Sequence, residues 1–141
     1  MATENDDLVD ALAQISFATM AVLSKAAADN DLSLTQLRVL GILCDRRMRM
    51  AALAGFLGLE KSTLSGLVDR AERRGLLERA PSAGDGRAVD VFITPVGAAH
   101  AARVHASIRQ ALSPLTNELA PAEQRRLQSL LEKILPPNVP S

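Results

Sequence analysis

Between Lys61 and Arg74 the apolar residues are Leu64, Leu67, Val68 and Ala71. That i, i+3, i+4, i+7 spacing puts one narrow stripe along a helix and commits that side to a core. The opposite side carries Lys61, Ser62, Thr63, Ser65, Gly66, Arg70, Arg73 and Arg74, small hydroxyls in front and cations behind. Just upstream, Met50, Leu53, Ala54 and Leu57 form a second short stripe, and Gly58-Leu59 breaks the chain between the two. Two short helices with a tight turn between them have the form of a helix-turn-helix.

Such a surface suits DNA for simple reasons. The first turn of a helix presents free backbone amides and the positive end of its dipole, which fit phosphate. Short side chains such as Ser62, Thr63 and Ser65 let the helix enter a major groove and hydrogen-bond there. Taken alone, the pattern fits a solvated amphipathic helix equally well. The sequence that follows weighs for DNA.

Leu76–Ala80 and Val89–Thr94 are strand candidates, the second with Val89, Val91 and Ile93 alternating with Asp90, Phe92 and Thr94. Between them Pro81–Ala88 reads as a turn-rich tip. A hairpin directly after a helix-turn-helix is a wing. Arg87 is placed to reach a minor groove, and Asp85 to brace that arginine or turn the loop.

The 141 residues amount to about one domain. Sixteen Lys and Arg balance sixteen Asp and Glu, so net charge predicts no nucleic-acid partner. The distribution does: from Arg46 to Arg87 nine basic residues face five acidic ones, while Glu4, Asp6, Asp7 and Asp10 gather at the N-terminus. The single cysteine, Cys44, excludes an internal disulfide and a cysteine-rich metal cluster. With no basic n-region and no apolar run approaching membrane-spanning length, a soluble cytoplasmic protein without membrane contact is expected.

The remaining chain reads as helices. One runs from about Asp6 to Asp29, with Leu8, Leu12, Ile15, Thr19 and Val22 on one face and Val9, Phe17, Met20 and Leu23 around it. Apolar character that broad calls for partners on more than one side. Ser33-Leu34-Thr35-Gln36 is a capping box opening a helix that stops near Asp45, and Arg46–Arg49 reads as a basic connector. Gly75 suits a left-handed helix end. Thr94-Pro95 caps a helix that Pro114 is expected to kink or interrupt. A final helix with Leu127, Leu130, Leu131 and Ile134 follows Ala120-Pro121, closed by Pro136-Pro137. The leucine-striped terminal helices predict a homodimer.

In order and spacing, several segments together resemble the MarR family of transcriptional regulators. They are Ser33–Gln36 with Leu40; Leu53-Ala54 through Leu57-Gly58-Leu59; Ser62–Ser65 with Leu67–Arg70; Gly75–Arg79; and Asp85–Ala88 leading to Val91, Ile93, Thr94 and Gly97. The expected fold is mainly α with a small β-hairpin wing, in the order α-α-α-α-β-β-α-α. It forms a single domain over 1–141, with a DNA-binding lobe at 31–95 and dimerisation helices at 6–29 and 95–135. The resemblance implies a homodimer on a pseudo-palindromic double-stranded DNA operator, and repression relieved by a small molecule or by oxidation. It places Ser62, Thr63, Ser65 and Arg70 against the major groove or its phosphates, Arg87 in the minor groove, and Asp85 at the wing tip. Asp69 is expected to be an internal salt-bridge partner, since a carboxylate is repelled by phosphate. Three features depart from the family pattern: no hydroxyl cap at Met50-Ala51-Ala52, none at Ala120, and Asp90 in a wing poor in cations.

An effector pocket is expected between the terminal helices and the DNA-binding lobe, with Ile15, Thr19, Leu40, His100 and Arg103 as candidates. With three Phe and neither Trp nor Tyr, its walls are expected to be aliphatic. Cys44, beside Ile42 and Leu43, is read as a buried structural thiol. A redox-sensing regulator is the alternative, with Arg46 and Arg47 nearby but without the tyrosines that often assist such sensors. A winged-helix protein-interaction module that no longer binds DNA is the other. No cofactor, metal or enzymatic activity is expected: His100 and His105 are five apart and share no helix face.

Overall fold

The computed structural model describes residues 3–136. In chain order these form α1 (Glu4–Asp29), α2 (Leu34–Leu43), β1 (Met48–Arg49), α3 (Met50–Leu57), α4 (Lys61–Arg73), β2 (Leu77–Ser82), β3 (Asp85–Ile93), α5 (Pro95–Thr116) and α6 (Pro121–Ile134). The fold is mainly helical with one small antiparallel sheet, as expected. Leu64, Leu67, Val68 and Ala71 are all buried, so the stripe that defines α4 is its core face. Around it close Val39, Leu40 and Leu43 of α2, Leu53 of α3, Leu77 of β2, Val91 of β3 and Val104 of α5, all fully buried.

The local signals fold as their chemistry dictates. Ser33 and Gln36 close the capping box reciprocally, at 3.0 and 2.9 Å. Gly58 and Gly75 take φ +67° and +73°, ending α3 and α4 in the left-handed conformation that a Cβ disfavours. The Thr94 hydroxyl accepts the Gly97 N–H at 2.9 Å and opens α5. A cap unnoticed in the sequence starts α1 two residues early: Thr3 and Asp6 form a second capping box. At Ala120, where no side-chain oxygen is available, the Glu123 carboxylate accepts the Ala120 N–H at 2.9 Å instead.

Five expectations are corrected. The segment read as a basic connector contains β1, which pairs with β3 (Met48 with Val91, Arg49 with Asp90), giving a three-stranded sheet in the order β1-β3-β2. The run read as a wing tip, Pro81–Ala88, is largely strand; Ser82 pairs with Asp85, so the turn is only Ala83-Gly84, with Gly84 at φ +80°. Pro81 is tolerated because β2 is an edge strand. Of the two outcomes expected at Pro114, a kink or an interruption, the interruption does not occur, since α5 runs on to Thr116. Proline has no N–H for the Gln110 carbonyl, and the Ser113 hydroxyl supplies that donor at 3.1 Å. Fourth, α1 is long and apolar enough to cross a membrane by length and composition, a stretch the sequence reading passed over; here it packs on α2 and α5. Of the two prolines expected to close α6, Pro136 follows the helix and Pro137 lies outside the described residues.

The fifth correction is Cys44. It is exposed, because α2 ends at Leu43 and the thiol falls past the last buried turn. Ile42 and Leu43 beside it are buried, which is what made the run look like core.

Candidate nucleic-acid interface

The cations around α4 and the wing divide into two sets. Arg79 of β2 is the most embedded. Its guanidinium meets Asp69 at 2.7 Å and Glu72 at 3.6 Å, and it donates to the carbonyl and hydroxyl oxygens of Ser65 at 3.0 and 3.2 Å. Asp69 is therefore an internal ion-pair partner, as expected. Arg79 clamps α4 to the base of the wing. Sequence reasoning missed this role, because its partners lie 7 to 14 positions away with no periodic signature.

Arg47 pins the other side of the wing. Its guanidinium bonds Asp90 Oδ2 at 2.8 Å and the Pro81 carbonyl at 3.1 Å, and lies over the Phe92 ring, 5.0 Å from the centroid. The Ser82 hydroxyl donates to the other Asp90 oxygen. Asp90 thus pins the wing, a role not visible in its thin cation count. The Ser82 hydrogen bond first, and Arg47 second, hold the Asp90 carboxyl below its ordinary value of 3.8. A folded-state pKa that is depressed means stability fully present above the ordinary value and lost as the pH falls through the folded one. Asp90→Asn is therefore expected to melt below the parent protein at pH 7, with the gap closing as the pH falls below the ordinary carboxylate value of 3.8. Thermal melts across that range check it; a pH-independent gap would show that the ionised carboxylate is not what holds the wing.

The second set comprises Lys61, Arg70, Arg73 and Arg87. None of these four side chains forms an ion pair among the described residues. All four are exposed, three on α4 and one on the wing. Arg70 lies back along the helix over Gly66, where an added Cβ would stand 3.6 Å from its Nη1. Ser62 and Thr63 are exposed at the first turn of α4, and no side chain caps that turn. Its amides therefore stay open to an anion. At the wing, Asp85 Oδ1 accepts the Arg87 N–H at 3.1 Å, while Oδ2 lies 3.8 Å from Arg49. Asp85 braces the backbone of the turn, leaving the Arg87 guanidinium free. Between α4 and the wing runs a cleft of about 460 Å³ walled by Arg49, Lys61, Leu64, Ser65, Arg79 and Arg87.

Two candidates from the polar face of α4 are otherwise engaged. Ser65 is half-buried under Arg79. Arg74 turns away and donates to the carbonyls of Asp31 and Asn30.

The proposed effector residues do not converge. Leu40 is core and Ile15 is exposed on α1; the Thr19 hydroxyl donates to the Ile15 carbonyl at 2.7 Å. Only His100 and Arg103 meet, at 3.1 Å.

A helix-turn-helix whose second, recognition helix (α4) has an uncapped N-terminus, followed by a braced hairpin carrying a free arginine, defines a winged helix-turn-helix protein. The sequence profile of the MarR family matches residues 30–88. The multiple antibiotic resistance protein MarR of Salmonella typhimurium is 36% identical over 108 residues, 75% of each chain. The chain belongs to the MarR family of transcriptional regulators. Among solved structures, wild-type apo MarR from E. coli matches with TM-score 0.78 at 29% identity, covering 92% of this chain and 96% of that one. A cysteine-to-serine mutant of the same protein, complexed with operator DNA, matches with TM-score 0.71 at 29% identity over 94% and 96%.

Proposed function

We propose that this protein is a homodimeric, cytoplasmic repressor that binds a pseudo-palindromic operator through α4 and the wing. The observation that carries this reading is the set of four unpaired cations on α4 and the wing, next to an uncapped helix N-terminus. Lys61, Ser62, Thr63, Arg70 and Arg73 face the major groove and its phosphates, and Arg87 enters the minor groove on a turn that Asp85 holds. The operator complex of the related E. coli protein supports the same use of the fold.

Dimerisation explains the apolar surface. No residue of α6 is buried, yet Leu127, Leu130, Leu131 and Ile134 lie along it. On α1, Leu8, Leu12, Ile15 and Phe17 are exposed, Phe17 to 74%. A second copy gives these faces a partner, and a two-fold dimer matches a palindromic site. The same interface accounts for the apolar character of α1 without a membrane. A small effector is expected to act between these helices and the DNA-binding lobe, where His100 and Arg103 contribute polar groups.

The test is binding of the purified protein to DNA from its own promoter region across a salt series. Tight, sequence-selective binding with a steeply negative salt slope is expected. Absence of selective binding at low salt would overturn DNA recognition as the function of this surface.

A further inference from the structure

The junction after α1 carries a constellation that the DNA-facing surface does not use. Asn30 closes α1: its N–H bonds the carbonyls of Ala27 and Ala28, and its side-chain amide donates to the Ala26 carbonyl at 2.7 Å. Asp31 then takes φ +55°, the only non-glycine at positive φ among the described residues. The carbonyls of Asn30 and Asp31 are left outside the helical ladder as acceptors.

Both are taken by Arg74, the residue capping the end of α4. The Asn30 carbonyl receives a second donor, His100 Nε2 of α5, at 3.2 Å. Arg103 approaches His100 Nδ1 at 3.1 Å. A guanidinium only donates, so Nδ1 is the acceptor and the imidazole proton sits on Nε2, aimed at Asn30. The end of the recognition helix, the end of α1 and the second turn of α5 therefore meet at one pair of carbonyl oxygens.

We propose that Arg74 is a positioning residue for DNA binding: it touches no DNA, and holds the recognition helix at a set angle to α1 and α5. This rests on the function proposed above. The leverage is geometric. A helix of 13 residues is about 20 Å long, and a 10° tilt about its Arg74 end moves Ser62 and Thr63 by about 3 Å. That exceeds the tolerance of a hydrogen bond to a base edge or phosphate. The bland account, in which Arg74 is one more phosphate contact on a basic helix face, predicts a different dependence on salt.

Two measurements decide between them. Arg74→Gln is expected to weaken operator binding about 10-fold while leaving the slope of log K against log[salt] unchanged; loss of a phosphate contact lowers that slope by about one. Arg74→Lys, which keeps the charge on a single donor nitrogen in place of the guanidinium fork, is expected to recover part of the loss and serves if the glutamine variant does not fold. The second measurement needs no DNA: electron–electron distance distributions between spin labels at Ser24→Cys and Glu60→Cys, in a Cys44→Ser background diluted with unlabelled protein. Arg74→Gln is expected to broaden that distribution. A slope reduced by about one, an unchanged affinity, or an unchanged distance distribution overturns the positioning role. Failure of the parent protein to bind DNA selectively would instead overturn the proposed function, and the label distances would still judge the strut.

Discussion

Replacing Arg87 with alanine is expected to lower operator affinity by about 10- to 100-fold while moving the melting temperature by no more than about 2 °C. The two effects separate because the side chain and the backbone of Arg87 do different jobs. The guanidinium is exposed and makes no ion pair among the described residues. The turn is braced through the backbone N–H, which Asp85 accepts at 3.1 Å and which alanine retains. Nothing that orders the wing is lost, and the one cation the wing presents freely is. In a narrow minor groove, with its enhanced negative potential, that cation adds affinity no neighbouring residue supplies. Arg49 cannot substitute, since it is drawn towards Asp85 at 3.8 Å. Titration of labelled operator with parent and variant, beside thermal melts of both, reads the two quantities together. An unchanged affinity would sink the wing as a DNA contact; a large fall in melting temperature would show the side chain to be structural.

Gly97→Ala is expected to be the most destabilising single-methyl change, costing about 3 kcal/mol or more and lowering the melting temperature by roughly 10 °C. Gly97 is buried in the first turn of α5. A Cβ there would overlap the Leu76 carbonyl oxygen and stand 2.9 Å from both the Leu76 carbonyl carbon and Ile93 Cγ1. The obstruction is mainly backbone, so no rotamer relieves it. That carbonyl is also the acceptor for the Thr94 N–H at 3.1 Å and the Thr94 hydroxyl at 3.2 Å. Moving α5 away therefore loosens the cap that starts it, as well as the contact with the end of α4. Gly41, where an added Cβ meets nothing within 4 Å, is the matched control. Equal melting temperatures for Gly97→Ala and Gly41→Ala would show that α5 does not approach Leu76 this closely.

What was legible along the chain was legible for local reasons. The buried stripe of α4 was apparent because a helix returns to the same face every three to four residues. The Ser33–Gln36 box, the Thr94 cap and Gly75 were readable because each satisfies or relieves backbone within three residues of itself. Gly97 belonged to the family resemblance as a residue, but its reason, the Leu76 carbonyl 21 positions away, carries no local sign. β1 went unread because two residues have no period; the strand exists only because Met48 meets Val91 across the sheet. Cys44 was misjudged from apolar neighbours, whereas its exposure depends on where α2 stops.

The division runs through the arginines themselves. The sequence alone determined that a helix with a basic outer face would lie beside a wing, since periodicity and turn chemistry are properties of consecutive residues. Only the tertiary structure decided which cations remain free for DNA. Arg47 finds Asp90 across 43 positions, Arg74 finds Asn30 across 44, and Arg79 finds Asp69 between strand and helix. Lys61, Arg70, Arg73 and Arg87 are left facing outward. A charge is spent or spared by what folding brings within about 4 Å of it, and that distance is set by packing, which the order of residues does not display.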